Sequence, residues 1–204
     1  MYRLEVDSVT RHFGTRRVLT NASLRASPGR LMHLVGPNGT GKTTLLRIAA
    51  GCLRAEIGRV NVNSRWIQRP TLARMARAGV FFMPEGSLLT PSMPLTRQLM
   101  ATAERSGTSH LIGSVSEQLS LDDLGARSPG QMSVGEQRRA TLGLAILRNP
   151  DVLLADEPLR GIDPIDSERM LEAMQQLARQ GAAIVVTGHE TSLLTEFCDE
   201  TYSM

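Results

Sequence analysis

Apolar and polar residues alternate over positions 4–9, the two-residue period of a half-buried strand. Positions 18–24 read as a second strand, with Gly14-Thr15-Arg16 turning the chain before it and Ser27-Pro28-Gly29 after it. Positions 31–35, 80–83, 152–155 and 182–186 are short unbroken apolar runs, as expected of strands covered on both faces. Between them the period changes. Positions 43–52 carry Leu45, Leu46, Ile48 and Ala49 at helical spacing, and 71–78 read as a short helix behind Pro70. In 165–180, Met170, Leu171, Met174 and Leu177 form one stripe. Positions 133–147 predict a helix with Ser133 as N-cap and Glu136 closing a capping box. Positions 58–62 add a short strand. Strands alternating with helices predict an α/β fold with a largely parallel sheet. Positions 86–131 differ: they are rich in Ser, Thr, Leu and Pro, with helical patches at 96–105 and 114–119, and read as a small helical insertion.

Composition narrows the class. The chain has 204 residues, enough for one domain with a sizeable core. It is 41% apolar, 21% charged and only 3% aromatic, so aliphatic side chains must fill that core. The net charge of +3, from 23 basic and 20 acidic residues, is too small to point to nucleic acid. Cys52 and Cys198 make no disulfide framework, and a reducing compartment fits. The start of the chain lacks the apolar stretch of a signal peptide. Runs such as 182–186 fall far short of the roughly 20 residues of a membrane span. Lys42 is the only lysine, every other basic residue being arginine.

That lysine lies in Gly36-Pro37-Asn38-Gly39-Thr40-Gly41-Lys42-Thr43, a complete match to G-x-x-x-x-G-K-[ST] between an apolar strand and a helical pattern. Glycines let the backbone wrap a phosphate chain and aim its N–H groups inward, and the helix N-terminus adds its positive end. Lys42 would reach the outer phosphates of ATP and the Thr43 hydroxyl would ligate Mg²⁺. A compact ammonium suits this slot better than a forked guanidinium. Downstream, the strand at 152–155 ends in Asp156-Glu157-Pro158. Ligands of parallel sheets bind beyond the carboxyl ends of strands, so both strands deliver their ends to one edge. There Asp156 would hold Mg²⁺ and Glu157 would polarise the water that attacks the γ-phosphate. An acidic turn alone is common; the phosphate loop gives this one its meaning.

Taken together, these residues resemble the ATP-binding cassette ATPases, from about Leu4 to Ser203. Ser133-Val134-Gly135-Glu136-Gln137, after Met132, is similar to that family's signature motif, and Leu159-Arg160-Gly161-Ile162-Asp163 to the loop behind its catalytic Glu. Thr187-Gly188-His189 resembles the switch histidine at a strand end, and Phe13 stands where the family stacks an aromatic ring on adenine. The resemblance implies a P-loop NTPase core sheet, a small helical subdomain and an N-terminal antiparallel β subdomain. It implies one cassette over 1–204, with 1–85 and 149–204 as catalytic core and 86–148 as helical subdomain. Expected nucleotide contacts are Phe13, Gly36 to Thr43, Thr44, Ser133, Gly135 and Glu136. The catalytic set is Lys42, Glu157 and His189; the metal set is Thr43, Glu85 and Asp156. Trp66 is expected simply to pack.

Three departures stand out. Val134 replaces the first signature Gly and stiffens the backbone. Glu85 stands where the family usually has Gln, adding negative charge near the metal. The chain ends at Met204, earlier than most members, so the last strands are expected to be short. The resemblance implies an ATP-hydrolysing motor subunit, closing head to tail with a second copy or a paralogue around ATP. It would dock on separate transmembrane permease subunits at the cytoplasmic face of the inner membrane. Two alternatives are a soluble cassette ATPase acting on nucleic acid or the ribosome, and a nucleotide-binding module without turnover. The former generally carries two cassettes or a long coiled-coil insertion, neither of which is present; the latter is motivated by Val134 and Glu85. A GTPase is disfavoured, since its N-K-x-D motif needs a lysine beyond Lys42. The short length resembles haem-exporter cassettes and Pro84-Glu85-Gly86 resembles amino-acid uptake cassettes, which leaves the direction of transport open.

Overall fold

The computed structural model describes residues 1–188 and 192–204. The chain opens with β1 (Leu4–Phe13) and β2 (Arg16–Ala26), then β3 (Arg30–Val35), α1 (Lys42–Ala49), β4 (Ile57–Val62) and β5 (Arg65–Trp66). Next come α2 (Leu72–Arg77), β6 (Val80–Met83), α3 (Leu95–Ser106), α4 (Ile112–Gln118) and α5 (Val134–Arg148). It closes with β7 (Val152–Ala155), α6 (Pro164–Arg179), β8 (Ala183–Thr187), α7 (Ser192–Phe197) and β9 (Glu200–Ser203). One sheet is antiparallel, in the order β2-β1-β4-β5; the other runs β6-β7-β8-β3-β9 with every pairing parallel. This is the expected α/β class, with the N-terminal antiparallel sheet alongside.

The unbroken apolar runs have a simple cause. In β7, Leu153 and Ala155 join the apolar cluster that holds α3, α5 and α6, while Val152 and Leu154 join the cluster under α1 and the antiparallel sheet. In β8, Ile184 and Val186 likewise part from Ala183 and Val185. A strand covered on both faces has no polar side to show. The helices from 95 to 148 therefore share a core with one face of the parallel sheet. α5 starts as expected: the Ser133 hydroxyl accepts from the Glu136 amide at 3.2 Å, and the Glu136 carboxylate from the Ser133 amide at 2.6 Å. Arg139, buried in α5, donates to the carbonyls of Leu119 and Ser120 at 2.6 and 2.8 Å and pairs with Asp166 of α6 at 3.0 Å, which ties the insertion to the core.

Some elements escape the pattern. β1 runs on through Thr10, Arg11 and His12 to Phe13, where no residue is fully buried and polarity hides the strand. β5 is a two-residue strand, and β9 alternates half-buried and exposed residues at the sheet edge. Trp66 packs as expected, but at the surface and not in the core. It is exposed, with the Arg59 guanidinium 4.0 Å from its ring centre.

Leu154 lies in β7, inside the parallel sheet, with no exposed surface. Leu154→Ala is expected to lower unfolding free energy by about 2–5 kcal/mol, as read from urea denaturation.

Candidate functional site

The loop between β3 and α1 is shaped by close approach. Gly41 has φ 103°, and a Cβ there would lie 2.6 Å from Leu19 Cδ2 and 3.1 Å from the Val18 carbonyl. Only glycine lets β2 lie this close to a left-handed turn. Lys42 is buried, and its ammonium donates to the carbonyls of Gly36 at 2.6 Å and Pro37 at 3.2 Å, so the loop is wound around its own cation. The Thr40 hydroxyl donates to Pro37 O at 3.0 Å and tightens the bend. No side chain caps the N-terminus of α1, which leaves its first amides available to an anion.

Asn38, Gly39, Gly41, Lys42, Thr43 and Thr44 line one side of a cavity of about 320 Å³. Phe13, Arg16 and Val18 from the β1–β2 hairpin line another, and Glu157 closes it. Phe13 is 48% exposed, with the Arg11 guanidinium 5.1 Å from its ring centre. It offers a flat apolar face at the rim rather than filling the core.

Parallel register builds the acidic end. Ala155 of β7 pairs with Val186 of β8, and Leu34 of β3 pairs with Thr187, so Asp156 emerges beside Thr187 and close to the phosphate loop. Asp156 is buried. Its Oδ1 accepts from the Thr43 hydroxyl at 3.0 Å and the Thr187 hydroxyl at 2.9 Å. Thr187 Oγ1 in turn accepts from the Glu157 amide at 2.9 Å. Glu157 sits at φ 48°, an uncommon conformation for a side chain branching beyond Cβ, and such strain persists only where the surroundings fix it. Thr187 fixes its amide, and Arg138 of α5 donates to its carbonyl at 2.5 Å. Burial pushes the Arg138 guanidinium below its usual pKa, as does Arg160 nearby, while Glu85 and Glu157 oppose the shift.

The structure thus brings together in one cavity Phe13, Asn38, Gly39, Gly41, Lys42, Thr43, Thr44 and Glu157, with Asp156 joined through Thr43. Gly36 and Pro37 form the wall of carbonyls around the ammonium, and the Thr40 hydroxyl braces Pro37. Ser133, Gly135 and Glu136 stand apart, at the N-terminus of α5. Val134 is 60% exposed there and occupies a helical position, which a β-branched residue accepts at small cost. Glu85 does not line the cavity; its carboxylate pairs with Arg160 at 2.5 Å. His189 lies outside the described residues. Sequence reasoning gave no role to Thr187, Arg138, Arg160 or Arg16. Register alone would have found Thr187, the last residue of a strand that flanks β7.

Thr43 and Asp156 supply a hydroxyl and one carboxylate, and among the described residues no three acidic, His or Cys side chains cluster around a metal position. Hard oxygen donors in such small number suit Mg²⁺, which keeps several waters and shares its shell with substrate phosphates. Among the described residues no helix is long and apolar enough to cross a membrane.

Residues 19–160 match the model of a family described as ABC transporter. The chain is 28% identical over 204 residues to Nod factor export ATP-binding protein I of Rhizobium etli, covering 98% of this chain and 64% of that protein. It is 31% identical over 191 residues to the protein of that name from Paraburkholderia xenovorans, covering 91% and 62%. It is 25% identical to the lipopolysaccharide export system ATP-binding protein LptB of Haemophilus influenzae, covering 98% and 85%. The chain therefore spans a little under two thirds of the Nod factor proteins. A nucleotide-free ATP-binding cassette from an ABC transporter superposes with TM-score 0.86 at 22% identity, covering all of this chain and 88% of that one. The ADP conformation of such a cassette matches equally, with TM-score 0.86. At this identity the structures speak for the fold.

Thr187→Val keeps the shape but leaves the buried Asp156 carboxylate and the Glu157 amide each short of a partner. It is expected to cost about 1–3 kcal/mol in chemical denaturation, and Thr187→Ser to restore most of it.

Proposed function

Because the chain belongs to the ABC transporter family, we propose that it is an ATP-binding and ATP-hydrolysing motor subunit that drives solute transport through separate permease subunits. The observation that carries this reading is the cavity in which a buried ammonium, uncapped helix amides and the Thr43–Asp156 pair face Glu157. Phe13 stacks on the adenine. The loop amides from Asn38 to Thr44 and the Lys42 ammonium hold the phosphates, with Gly36 and Pro37 as the carbonyl seat that Lys42 leaves for them. Exchanging neutral carbonyls for phosphate oxygens strengthens the ammonium's bonds, because charge-assisted pairs are the stronger ones.

Thr43, Asp156 and phosphate oxygens would hold Mg²⁺, which when bound supplies neutralisation of charge on the β- and γ-phosphates. Glu157 orients the attacking water and accepts its proton as the new P–O bond forms and the bond to ADP breaks. A backbone fixed at both its amide and its carbonyl keeps that carboxylate on station. By the family resemblance, His189 would contact the γ-phosphate.

Ser133, Gly135 and Glu136 serve the nucleotide of a second copy or paralogue. They crown an exposed helix N-terminus away from this chain's own cavity, which suits a head-to-tail dimer closed by ATP. The insertion at 86–131 passes the closing motion to permeases, and the chain works at the cytoplasmic face of the membrane that they span. The relatives named for Nod factor export and for lipopolysaccharide export support an exporter as the transporter that this subunit drives.

Lys42→Ala is expected to abolish nucleotide binding in a fluorescent-nucleotide titration; an unchanged affinity would remove the phosphate loop from the mechanism. Glu157→Gln is expected to bind ATP without turnover and to elute from size exclusion with ATP as a dimer. Elution as a monomer at saturating ATP would sink the head-to-tail arrangement.

A further inference from the structure

A second set of charges lies behind Glu157. β6 and β7 are paired with Met83 opposite Ala155, and the Asp156 amide donates to Met83 O at 2.8 Å. This register carries Glu85, two residues past β6, alongside Glu157, two residues past β7. The chain then turns, with the Arg160 amide donating to Glu157 O at 3.2 Å, and the Arg160 guanidinium folds back over the gap. One of its nitrogens lies 2.5 Å from Glu85 Oε1 and 3.5 Å from Glu157 Oε2. Arg138, which donates to the Glu157 carbonyl, lies within electrostatic reach of all three. Two guanidinium groups and two carboxylates balance.

We propose that Arg160 is a positioning residue for Glu157, and that Glu85 is the counter-anion that keeps Arg160 from closing on Glu157, not a ligand of magnesium. This rests on the role of Glu157 proposed above. The unequal distances carry the argument. Arg160 makes its short contact with Glu85, which is 51% exposed in its side chain, and only a long one with Glu157, which is 17% exposed. A guanidinium can take a carboxylate bidentately, and a glutamate so held is turned away from the water it must meet. Glu85 therefore competes for the cation and leaves Glu157 steered but free. Without Arg160, the two carboxylates would face each other across the gap and Glu157 would swing away. The pair itself is solvent-exposed and holds little of the fold, so its variants fold.

The signs of the single and double variants follow. In Glu85→Gln, Arg160 closes on Glu157, and kcat falls about five-fold or more with the KM for ATP unchanged, couplings of this size being ordinary within one charge network. In the double variant Glu85→Gln, Arg160→Ala, the trap and the facing carboxylate are both gone, and kcat recovers above the level of either single variant. The metal is read without turnover, from the paramagnetic resonance of Mn²⁺ titrated into the protein with a non-hydrolysable ATP analogue. Glu85→Gln is expected to leave the Mn²⁺ affinity within two-fold of wild type. A loss of about ten-fold or more, the scale at which sites respond to a lost ligand or its support, overturns the assignment. Effects on kcat that simply multiply in the double variant also overturn it. If the wild-type chain binds no nucleotide, the parent reading of the cavity fails and takes this one with it. Either of the other two results, with ATP binding intact, refutes the Arg160 and Glu85 roles alone.

Discussion

One oxygen atom holds the site in register. Asp156 Oδ1 accepts from Thr43 at the start of α1 and from Thr187 at the end of β8, and Thr187 passes the bond on to the Glu157 amide. A buried carboxylate that lost these donors would pay its desolvation unaided, so the bonds hold firmly where an exposed set would not. Through them the phosphate loop, the end of β7 and the end of β8 act as one rigid part. The separation between Lys42 and Glu157 is a property of that part and not of any flexible linker.

The same constraint explains why the sheet must be parallel and doubly covered. Strands running the same way bring all their carboxyl ends to one edge, and helices on both faces leave that edge as the open place for a ligand. The two apolar clusters, divided residue by residue along β7 and β8, lock each strand against slippage, because a shift of one residue would exchange the clusters. Precision at Asp156 is thus inherited from Leu153, Leu154, Ile184 and Val185.

Much of this was legible beforehand for a definite reason. The strands at 31–35, 80–83, 152–155 and 182–186 announce themselves because burial on both faces leaves no polar residue to confuse the period. The phosphate loop announces itself because its glycines and its lone lysine are each demanded by geometry or charge. What stayed hidden depended on pairing across the chain. Thr187 reads as an ordinary polar residue until β8 is set beside β7, and the Glu85–Arg160 contact spans 75 positions. Polar strands such as the end of β1 and the edge strand β9 give no periodic signal, since their side chains meet water on one side or both. Trp66 packs at the surface because an aromatic ring can also be satisfied by a guanidinium there.

Glu157 also sets durability against output. Its backbone at φ 48° suits asparagine or glycine better than glutamate, since those two visit the left-handed region with less steric penalty. Given the role proposed for Glu157, a search for heat-resistant descendants of this chain would drift toward those two residues at position 157 and deliver sturdier molecules without the carboxylate that turnover uses. The strained glutamate marks the point where robustness was given up so that a carboxylate could stand in that spot.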